Sequence, residues 1–278
     1  MLHAAGEIAR AIEENAVEFL LAMGRAGGGE ERDERDVAPS GETGRLQWTI
    51  GGSPIAYHNA VVRADLTASQ ADAAIDASIE RLRALGVPGS WHIGPSMRPS
   101  DLRERLRARG FTGCEPGGEP GMAAPLDALP DDVHPPAGLD LQRVRAPLDL
   151  EQFGAVLASG FGEGPPEADW VCATFARIGL HDESGWLHYL GRIDETPVST
   201  VSVFFAAGVA GLYFVCTAPD HRRRGVARAT ALTAMRAARE RGAPLAVLTS
   251  SPMGYRVYEQ LGFREFCQIG VPEYDPRA

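Results

Sequence analysis

Apolar residues recur along the chain at two spacings, and these predict a protein of mixed helices and strands. A stripe of apolar residues spaced by three and four predicts an amphipathic helix over about 7–23. A similar stripe predicts a helix over about 69–85, ended by Gly86 and Pro88. Between the two helices, the glycine-rich and charged stretch 27–36 offers nothing to bury, and we predict a mobile loop there.

The rest of the chain alternates short apolar runs with helical patterns. In the first half, strands are predicted at 46–50, 56–62, 90–93 and 121–123, with a helix over about 101–109. A proline-rich connector at 129–136 follows. In the second half the predicted order is a strand (139–144), helices (148–157, 166–178), strands (186–193, 198–205, 211–216), a helix (226–241), a strand (245–249), a helix (253–261) and a strand (266–271). This order predicts an α/β (α+β) fold with a mixed sheet.

One junction in the second half carries a chemical signal. The apolar strand that ends at Cys216 turns into the helix starting at Val226 through a loop with Arg222, Arg223, Arg224 and then Gly225. The first N–H groups of a helix have no internal partner, and the helix dipole favours negative charge there. Arginines add charge-assisted hydrogen bonds that suit phosphate oxygens. The loop therefore suggests a pyrophosphate site, although an ordinary basic turn before a surface helix is the alternative.

Two common nucleotide-binding loops do not account for this junction. A Walker loop needs a lysine, and the chain contains none. A dinucleotide-binding fold needs Gly-x-Gly-x-x-Gly at the start of a helix, and no such run opens a helix here. What remains is Arg-x-x-Gly-x-Ala over 222–227, which resembles the pyrophosphate loop of the GNAT superfamily of acyl-CoA-dependent N-acyltransferases. The segment Tyr258–Phe263 is similar to that family's Tyr-x-x-x-Gly-Phe ending of the last helix.

The resemblance covers about 139–271 and implies a GNAT fold, with a central mixed, mostly antiparallel sheet flanked by helices. We expect a catalytic GNAT acetyltransferase domain at 137–278. The N-terminal domain, 1–130, shows a similar strand and helix order but lacks the loop, and we interpret it as a smaller, degenerate GNAT-like half. An unrelated α/β domain is the alternative. On either interpretation we expect this half to cover or complete the substrate cleft and to lend a strand to the C-terminal sheet.

The resemblance also implies which residues hold acetyl-CoA (coenzyme A). Its pantetheine arm would pair with main-chain groups of the last strand residues, Val215, Cys216 and Thr217. Its pyrophosphate would lie on the loop and the first helical turn, which comprise Arg222, Arg223, Arg224, Gly225, Val226, Ala227 and Arg228. With only one such loop, we expect one cofactor per chain.

The implied reaction is direct attack of a neutral amine on the thioester, without an acyl-enzyme. By its position in the motif, Tyr258 would be the catalytic acid that protonates the leaving thiolate. We expect Cys216 to pack in the strand rather than act as a nucleophile, because no His–carboxylate pair lies beside it in the sequence.

The general base is not identified by any motif. The strand that starts at Gly211 has no carboxylate, although many members of the family place a glutamate there. The candidates are the acids and histidines in the segments that line the family's acceptor site: Glu163, Glu167, His181 and His188.

Composition and net charge restrict the classes of partner that the protein is expected to bind. The 278-residue chain is 44% hydrophobic, with a net charge of −10 and a pI near 5.2. This charge argues against nucleic acid and anionic membranes as partners. The four cysteines are scattered singly, so neither a metal site nor a disulfide framework is expected. The chain has no apolar run long enough to span a membrane and no signal-peptide pattern, which favours the cytoplasm.

The leading hypothesis is an N-acetyltransferase that modifies a primary amine of a small molecule, as a monomer or homodimer. One alternative is a non-catalytic acyl-CoA-binding or regulatory module, since the strand carboxylate is missing. Another is acetylation of a protein's lysine or N-terminus. The sequence does not identify the acceptor.

Overall fold

The computed structural model describes residues 4–37, 43–130, 134–162 and 164–278. They form two compact units, each built from two stretches of the chain. The larger unit comprises the described parts of Met1–Ala16 and Gly121–Phe266. The smaller unit comprises those of Val17–Pro120 and Cys267–Ala278.

The elements follow the predicted order closely. The helices are α1 (Ala5–Ala26), α2 (Ala68–Leu85), α3 (Leu102–Ala108), α4 (Pro147–Gly160), α5 (Pro165–Ile178), α6 (Val226–Glu240) and α7 (Tyr255–Glu259). The strands are β1 (Glu30–Val37), β2 (Thr43–Ile50), β3 (Asn59–Asp65), β4 (Gly89–Trp91), β5 (Glu119–Pro125), β6 (Leu139–Arg143), β7 (Trp186–Ile193), β8 (Thr196–Ala206), β9 (Val209–Thr217), β10 (Leu245–Thr249), β11 (Arg264–Ile269) and β12 (Glu273–Tyr274).

The larger unit is organised around a seven-stranded sheet in the order β11-β5-β10-β9-β8-β7-β6. Strands β9 and β10 run parallel, whereas β10–β5, β9–β8, β8–β7 and β7–β6 are antiparallel pairs. Helix α6 packs a face of small and apolar residues on the sheet and buries Leu232 and Met235 completely or nearly so. The predicted fold class, a mixed and mostly antiparallel sheet flanked by helices, is confirmed.

The smaller unit has a five-stranded sheet in the order β1-β2-β3-β4-β12. Its core lies between this sheet and helices α2 and α3, where Ile75, Trp91 and Leu106 are each at most 1% exposed. Strands β3 and β4 are parallel and are connected through α2, so this unit repeats the strand–helix–strand arrangement of β9, α6 and β10.

The predicted mobile loop over 27–36 is wrong, because most of it forms strand β1, which pairs with β2 along its whole length. Charged side chains are tolerated there because β1 is the edge strand of its sheet. Several of them are paired: Arg45 of β2 donates two 2.9 Å hydrogen bonds to Asp33, and Arg81 of α2 binds Glu30. A pattern based on hydrophobicity does not detect a strand held in this way.

The prediction that the first half lends a strand to the C-terminal sheet is confirmed, and the structure adds a strand in the opposite direction. Strand β5 comes from the first half of the chain, yet it pairs with β10 from Leu245↔Pro125 to Thr249↔Gly121. In the opposite direction, β12 at the end of the chain pairs with β4. The compact units therefore differ from the sequence boundaries that we expected at 130 and 137, because pairing partners in a sheet need not be neighbours in sequence.

Candidate functional site

The candidate site begins where strands β9 and β10 separate. Their pairing comprises only Ala246↔Ala210 and Val247↔Gly211, although β9 continues to Thr217 and all of 209–249 is described. Beyond Gly211, β9 therefore has an edge toward β10 that no strand of the described chain fills. An extended ligand can pair with such an edge as an added strand would.

A bulge turns the end of β9. Its register with β8 shifts between Thr200 and Ser202, and Phe214 adopts a left-handed φ of 52°. The Thr200 hydroxyl donates a 2.8 Å hydrogen bond to the Phe214 carbonyl, which stabilises this conformation. Bulges re-aim the residues that follow them, here those from Val215 to Thr217. The sequence carried no signal for this bulge, since an aromatic residue is not expected at positive φ.

The loop after β9 leads into α6 through two left-handed residues. A 3-10 turn at Pro219–His221 is followed by Arg223 with φ 61° and Gly225 with φ 81°. Gly225 is the N-cap residue of α6, and no side chain caps the helix. Main-chain N–H groups in such a conformation, together with uncapped N–H groups of a first helical turn, form a concave anion-binding surface.

Helix α2 of the smaller unit shows the opposite arrangement at the corresponding position. There Thr67 and Gln70 form a capping box, in which the Gln70 side chain accepts a 2.9 Å hydrogen bond from the Thr67 N–H. The Thr67 hydroxyl accepts from the Gln70 N–H. Side chains of the chain itself therefore satisfy N–H groups at the start of α2, whereas no side chain caps the start of α6.

The three loop arginines have different surroundings. The Arg222 guanidinium donates to two main-chain carbonyls, Thr217 at 3.1 Å and Gly160 at 2.8 Å. Arg222 thus joins the end of β9 to the end of α4, and its side chain is already occupied. Arg223 and Arg224 are exposed. The contact with Gly160 was not expected from the sequence, since nothing local links these positions.

The remaining predicted residues of the first helical turn differ in burial. Val226 is 1% exposed and lies in the protein interior, whereas Ala227 and Arg228 are half-buried. Thr230, one turn further, donates to the Val226 carbonyl and contacts Ser199 of β8 through their hydroxyls at 2.9 Å. These contacts hold the start of α6 against the sheet.

The three predicted residues of β9 differ in burial. Val215 is half-buried and packs against the core. The Cys216 thiol is buried and donates to the Val156 carbonyl at 3.5 Å, and burial raises its pKa to about 12. Such a thiol is a poor nucleophile at neutral pH. Thr217 is 9% exposed, and its buried hydroxyl has no hydrogen-bond partner in the described residues.

Tyr258 lies in α7 and is 8% exposed. Its ring packs edge-on against Phe263, with 5.6 Å between ring centroids. Burial raises the pKa of the phenol, so the hydroxyl keeps its proton at neutral and mildly alkaline pH. Within the described chain, the hydroxyl meets no hydrogen-bond partner. A bound ligand can supply such a partner.

The four candidate bases differ in their surroundings. Glu163 lies outside the described residues. The His181 side chain is 60% exposed and lies 3.4 Å from Glu183. His188 is 1% exposed, with Nδ1 2.8 Å from the Ser202 hydroxyl and a ring stacked on Trp186. Burial lowers the pKa of His188 to about 3, which makes it a core residue rather than a base.

Glu167 is the candidate that the structure places near the end of β9. It lies in the first turn of α5 and is 6% exposed. Its carboxylate adds to the rise in the Cys216 pKa, behind the larger effect of burial. Gly162, with φ 42°, passes so close that a Cβ there would clash with the Glu167 carboxylate.

In the smaller unit, the place that corresponds to the separated strands is filled by the chain itself. The Arg98 N–H donates a 2.8 Å hydrogen bond to the Ala64 carbonyl, and Arg98 forms a parallel bridge with Asp65 at the end of β3. The segment that follows β4 thus returns to pair with β3. The edge that is open on β9 is closed on β3.

In the described ranges, no group of three or more His, Cys, Asp or Glu side chains is arranged to hold a metal ion. None of the described helices is long and apolar enough to cross a membrane.

Comparison with known proteins agrees with this site. Residues 205–266, which include β9, the loop, α6, β10 and α7, match the family described as acetyltransferase (GNAT) domain. No curated protein matches the chain significantly.

Solved structures share the fold over most of the chain. The chain is similar to a GCN5-related N-acetyltransferase from Kribbella flavida, at 20% identity and a TM-score of 0.66, over 94% of this chain and 95% of that one. A GCN5-related N-acetyltransferase from Sphaerobacter thermophilus matches at 17% identity and 0.59, over 86% and 79%. A tandem GNAT protein from the clavulanic acid biosynthesis pathway matches at 13% and 0.55, over 86% and 81%. The chain therefore has the GNAT fold, and its residues 205–266 match the GNAT acetyltransferase domain.

Proposed function

We propose that this protein transfers the acetyl group of acetyl-CoA to a primary amine of a small molecule by direct attack. The single observation that carries the proposal is the combination of an open β9 edge with an uncapped α6 N-terminus directly after it. The open strand edge is followed along the chain by the helix N-terminus. This order suits a ligand in which an extended arm is joined to a pyrophosphate.

The residues present fit acetyl-CoA. Main-chain groups of Val215, Cys216 and Thr217 would pair with the pantetheine amides, and the orphaned Thr217 hydroxyl would find a partner there. N–H groups from Arg223 to Arg228, including those of Gly225, Val226 and Ala227, would receive the pyrophosphate. The exposed guanidiniums of Arg223 and Arg224 add positive charge, whereas Arg222 acts by holding the loop in place.

The chemistry follows from these positions. The amine nitrogen attacks the thioester carbonyl carbon, the carbon–sulfur bond breaks, and the sulfur leaves with the bonding electron pair. Tyr258 donates its phenolic proton to that sulfur, and because burial raises the pKa of the phenol, this proton is present at neutral pH. The proton lost by the amine passes to a base, for which Glu167 is the best-placed carboxylate. Cys216 takes no covalent part, because its thiol stays protonated.

One chain would bind one acetyl-CoA. In the smaller unit, the capping box at Thr67 and the pairing of Arg98 with Ala64 close both features that the proposed site needs. We therefore interpret the smaller unit as a degenerate GNAT-like half without a cofactor.

Calorimetric titration with acetyl-CoA tests the cofactor site. We expect binding near the micromolar range with a stoichiometry near one, and a marked weakening in Arg224→Glu and Gly225→Glu. Arg239→Glu is the matched control, since it makes the same charge change at the exposed far end of the same helix. If both loop variants bind as tightly as the wild type, the loop is not the pyrophosphate site.

A non-catalytic acyl-CoA-binding module is the second candidate, because no carboxylate lies on β9. Release of free thiol from acetyl-CoA, measured across a library of small amines, separates the two functions. Turnover with any amine supports the enzyme, whereas tight cofactor binding without turnover on the whole library supports the module. The same assay with peptides tests acetylation of a protein's lysine or N-terminus.

A further inference from the structure

The smaller unit contains a cavity of about 300 Å³ that lies apart from every residue of the proposed acetyl-CoA site. It lies between helix α2 and strands β1 to β4. This volume is at the lower end of the range for small-molecule pockets. Its apolar lining includes Leu46, Trp48, Val61, Leu82 and Trp91.

The cavity exists because α2 presents small side chains toward β1 and β2. Ala74, Ala77 and Ser78 line it on the helix side. The Ser78 hydroxyl accepts a 3.3 Å hydrogen bond from the Trp91 indole and itself donates to the Ile75 carbonyl at 2.7 Å. The polar groups on the floor are thus satisfied within the chain, and the interior offers mainly apolar and aromatic surface.

Charged side chains of both signs line the cavity. Arg32, Glu34, Glu80 and Arg81 line it, and Glu30 holds Arg81. The cavity lining itself has two carboxylates and two guanidiniums, and because Glu30 from outside the lining neutralises Arg81, Glu34 and Glu80 remain against Arg32 alone. Within the described residues Glu80 has no ion-pair partner. The surplus of one carboxylate favours a cation over an anion at this position.

The indole of Trp48 already carries a cation on its face. The Arg32 guanidinium lies 5.4 Å from the centre of that ring and pairs with Glu34 at 3.2 Å. The side chains of Arg32 and Glu34 are 57% and 52% exposed, so this pair is easily broken. An incoming ammonium group can replace the guanidinium over Trp48 while Glu34 and Glu80 provide its counter-charge.

From this combination we propose that the cavity of the smaller unit binds a small aromatic amine, with its ring on Trp48 and Trp91 and its ammonium group at Glu34 and Glu80. The site is independent of acetyl transfer. Binding at this cavity is tested on the protein without acetyl-CoA. Failure of the proposed enzymatic function therefore leaves this inference standing, and failure of amine binding at the cavity leaves the proposed enzymatic function standing.

Tryptophan fluorescence of the full chain without acetyl-CoA provides the test, with three probes of the same shape. Phenethylamine is a cation at neutral pH, 2-phenylethanol is neutral, and 3-phenylpropionate is an anion. We expect a saturable change with phenethylamine and roughly tenfold weaker binding of 3-phenylpropionate. The change should be clearly smaller in Trp48→Phe, which keeps Trp91 as the only tryptophan among the described residues that line the cavity. No saturable change up to the solubility limit, equal binding of cation and anion, or an unaltered response in Trp48→Phe would each overturn the proposal.

Matched variants locate the site on the helix. Ala77→Phe fills the cavity mouth and should abolish binding, whereas Ala73→Phe, on the exposed side of the same helix, should not. Glu80→Gln should weaken phenethylamine binding roughly two- to fivefold, and Glu104→Gln, an exposed acid of α3 outside the cavity, should leave it unchanged. Equal effects within either pair would contradict the assignment. Circular dichroism checks the fold of each variant, and the wild-type probe series decides the question if a variant fails to fold.

Discussion

The Tyr213 hydroxyl donates a 2.8 Å hydrogen bond to the side-chain carbonyl of Asn15, joining residues 198 positions apart in sequence. The Asn15 amide donates to the carbonyls of Phe204 and Ala206 at the end of β8, and Asn15 is completely buried. Gly211 accommodates this contact, because a Cβ there would clash with the Asn15 oxygen. The first turns of α1 are thus part of the unit that carries the candidate site.

Replacing Asn15 should therefore destabilise the protein. We expect Asn15→Leu to lower the free energy of unfolding by about 2–3 kcal/mol, since buried main-chain carbonyls lose their donor. Tyr213→Phe should cost about 1 kcal/mol. Urea denaturation measures both, with Arg10→Gln on the exposed surface of the same helix as the control. In the double variant the two losses should not add, and additive losses would argue against a direct interaction.

The strand exchange predicts the behaviour of truncated chains. A chain of 137–278 contains the whole GNAT signature but lacks β5, so β10 loses its antiparallel partner from Gly121 to Pro125. We expect it to aggregate, or to show no cooperative unfolding by near-UV circular dichroism, because an unpaired inner strand exposes its backbone and apolar face. A chain of 117–278 keeps β5 and should be more soluble. Cooperative unfolding of 137–278 would contradict this account.

Arg222 and Arg224 should differ in what their removal changes. Arg222→Met removes both hydrogen bonds to the carbonyls of Thr217 and Gly160, and we expect a loss of about 1–3 kcal/mol in stability together with weaker acetyl-CoA binding. Arg224→Met should weaken binding at unchanged stability, since its side chain is exposed. Thermal unfolding and calorimetry on both variants provide the comparison. Unchanged stability in Arg222→Met would mean that the hydrogen bonds from Arg222 to Thr217 and Gly160 do not stabilise the loop.

Tyr258→Phe should separate binding from chemistry. We expect acetyl-CoA affinity to be nearly unchanged and turnover, with an amine found by the thiol assay, to fall by roughly 10²- to 10⁴-fold. The raised pKa has its own readout, because Tyr258 should contribute no tyrosinate absorbance at a pH where exposed tyrosines ionise. The variant and the wild type should then match in that titration. An unchanged turnover would remove Tyr258 from the mechanism.

Two buried histidines predict a loss of stability in mild acid. Burial lowers the pKa of His188 to about 3 and that of His92 to about 4, below the ordinary value near 6.5 in the unfolded chain. Between these values the unfolded chain binds more protons than the folded one, so stability falls as pH falls. Each histidine should cost about 2 kcal/mol between pH 7 and pH 5.

Urea denaturation across that range measures the slope. His188→Gln should flatten it, whereas His181→Gln, at an exposed position, should not. A slope that is identical in all three proteins would show that His188 does not control acid stability.

Local patterns were sufficient where one element decides its own structure. The helices α2, α4, α5 and α6 were predicted within a few residues, because amphipathic periodicity and glycine or proline at the ends are properties of the segment itself. Strand β1 was missed because its structure does not depend on its own segment alone. Its charged side chains are acceptable only because β2 pairs with it and its other edge is the edge of the sheet.

The loop between β9 and α6 shows the division most clearly. The sequence alone determined that an arginine-rich turn with Gly225 joins a buried strand to a helix. The tertiary structure decided which side chains and main-chain groups of this loop and of β9 are already bonded within the chain. It occupies Arg222 with two carbonyls, bends β9 at Phe214, and ends the pairing of β9 with β10 at Gly211. These outcomes depend on α4, β8 and β10, whose approach to the loop is set by packing over distances that no local pattern encodes.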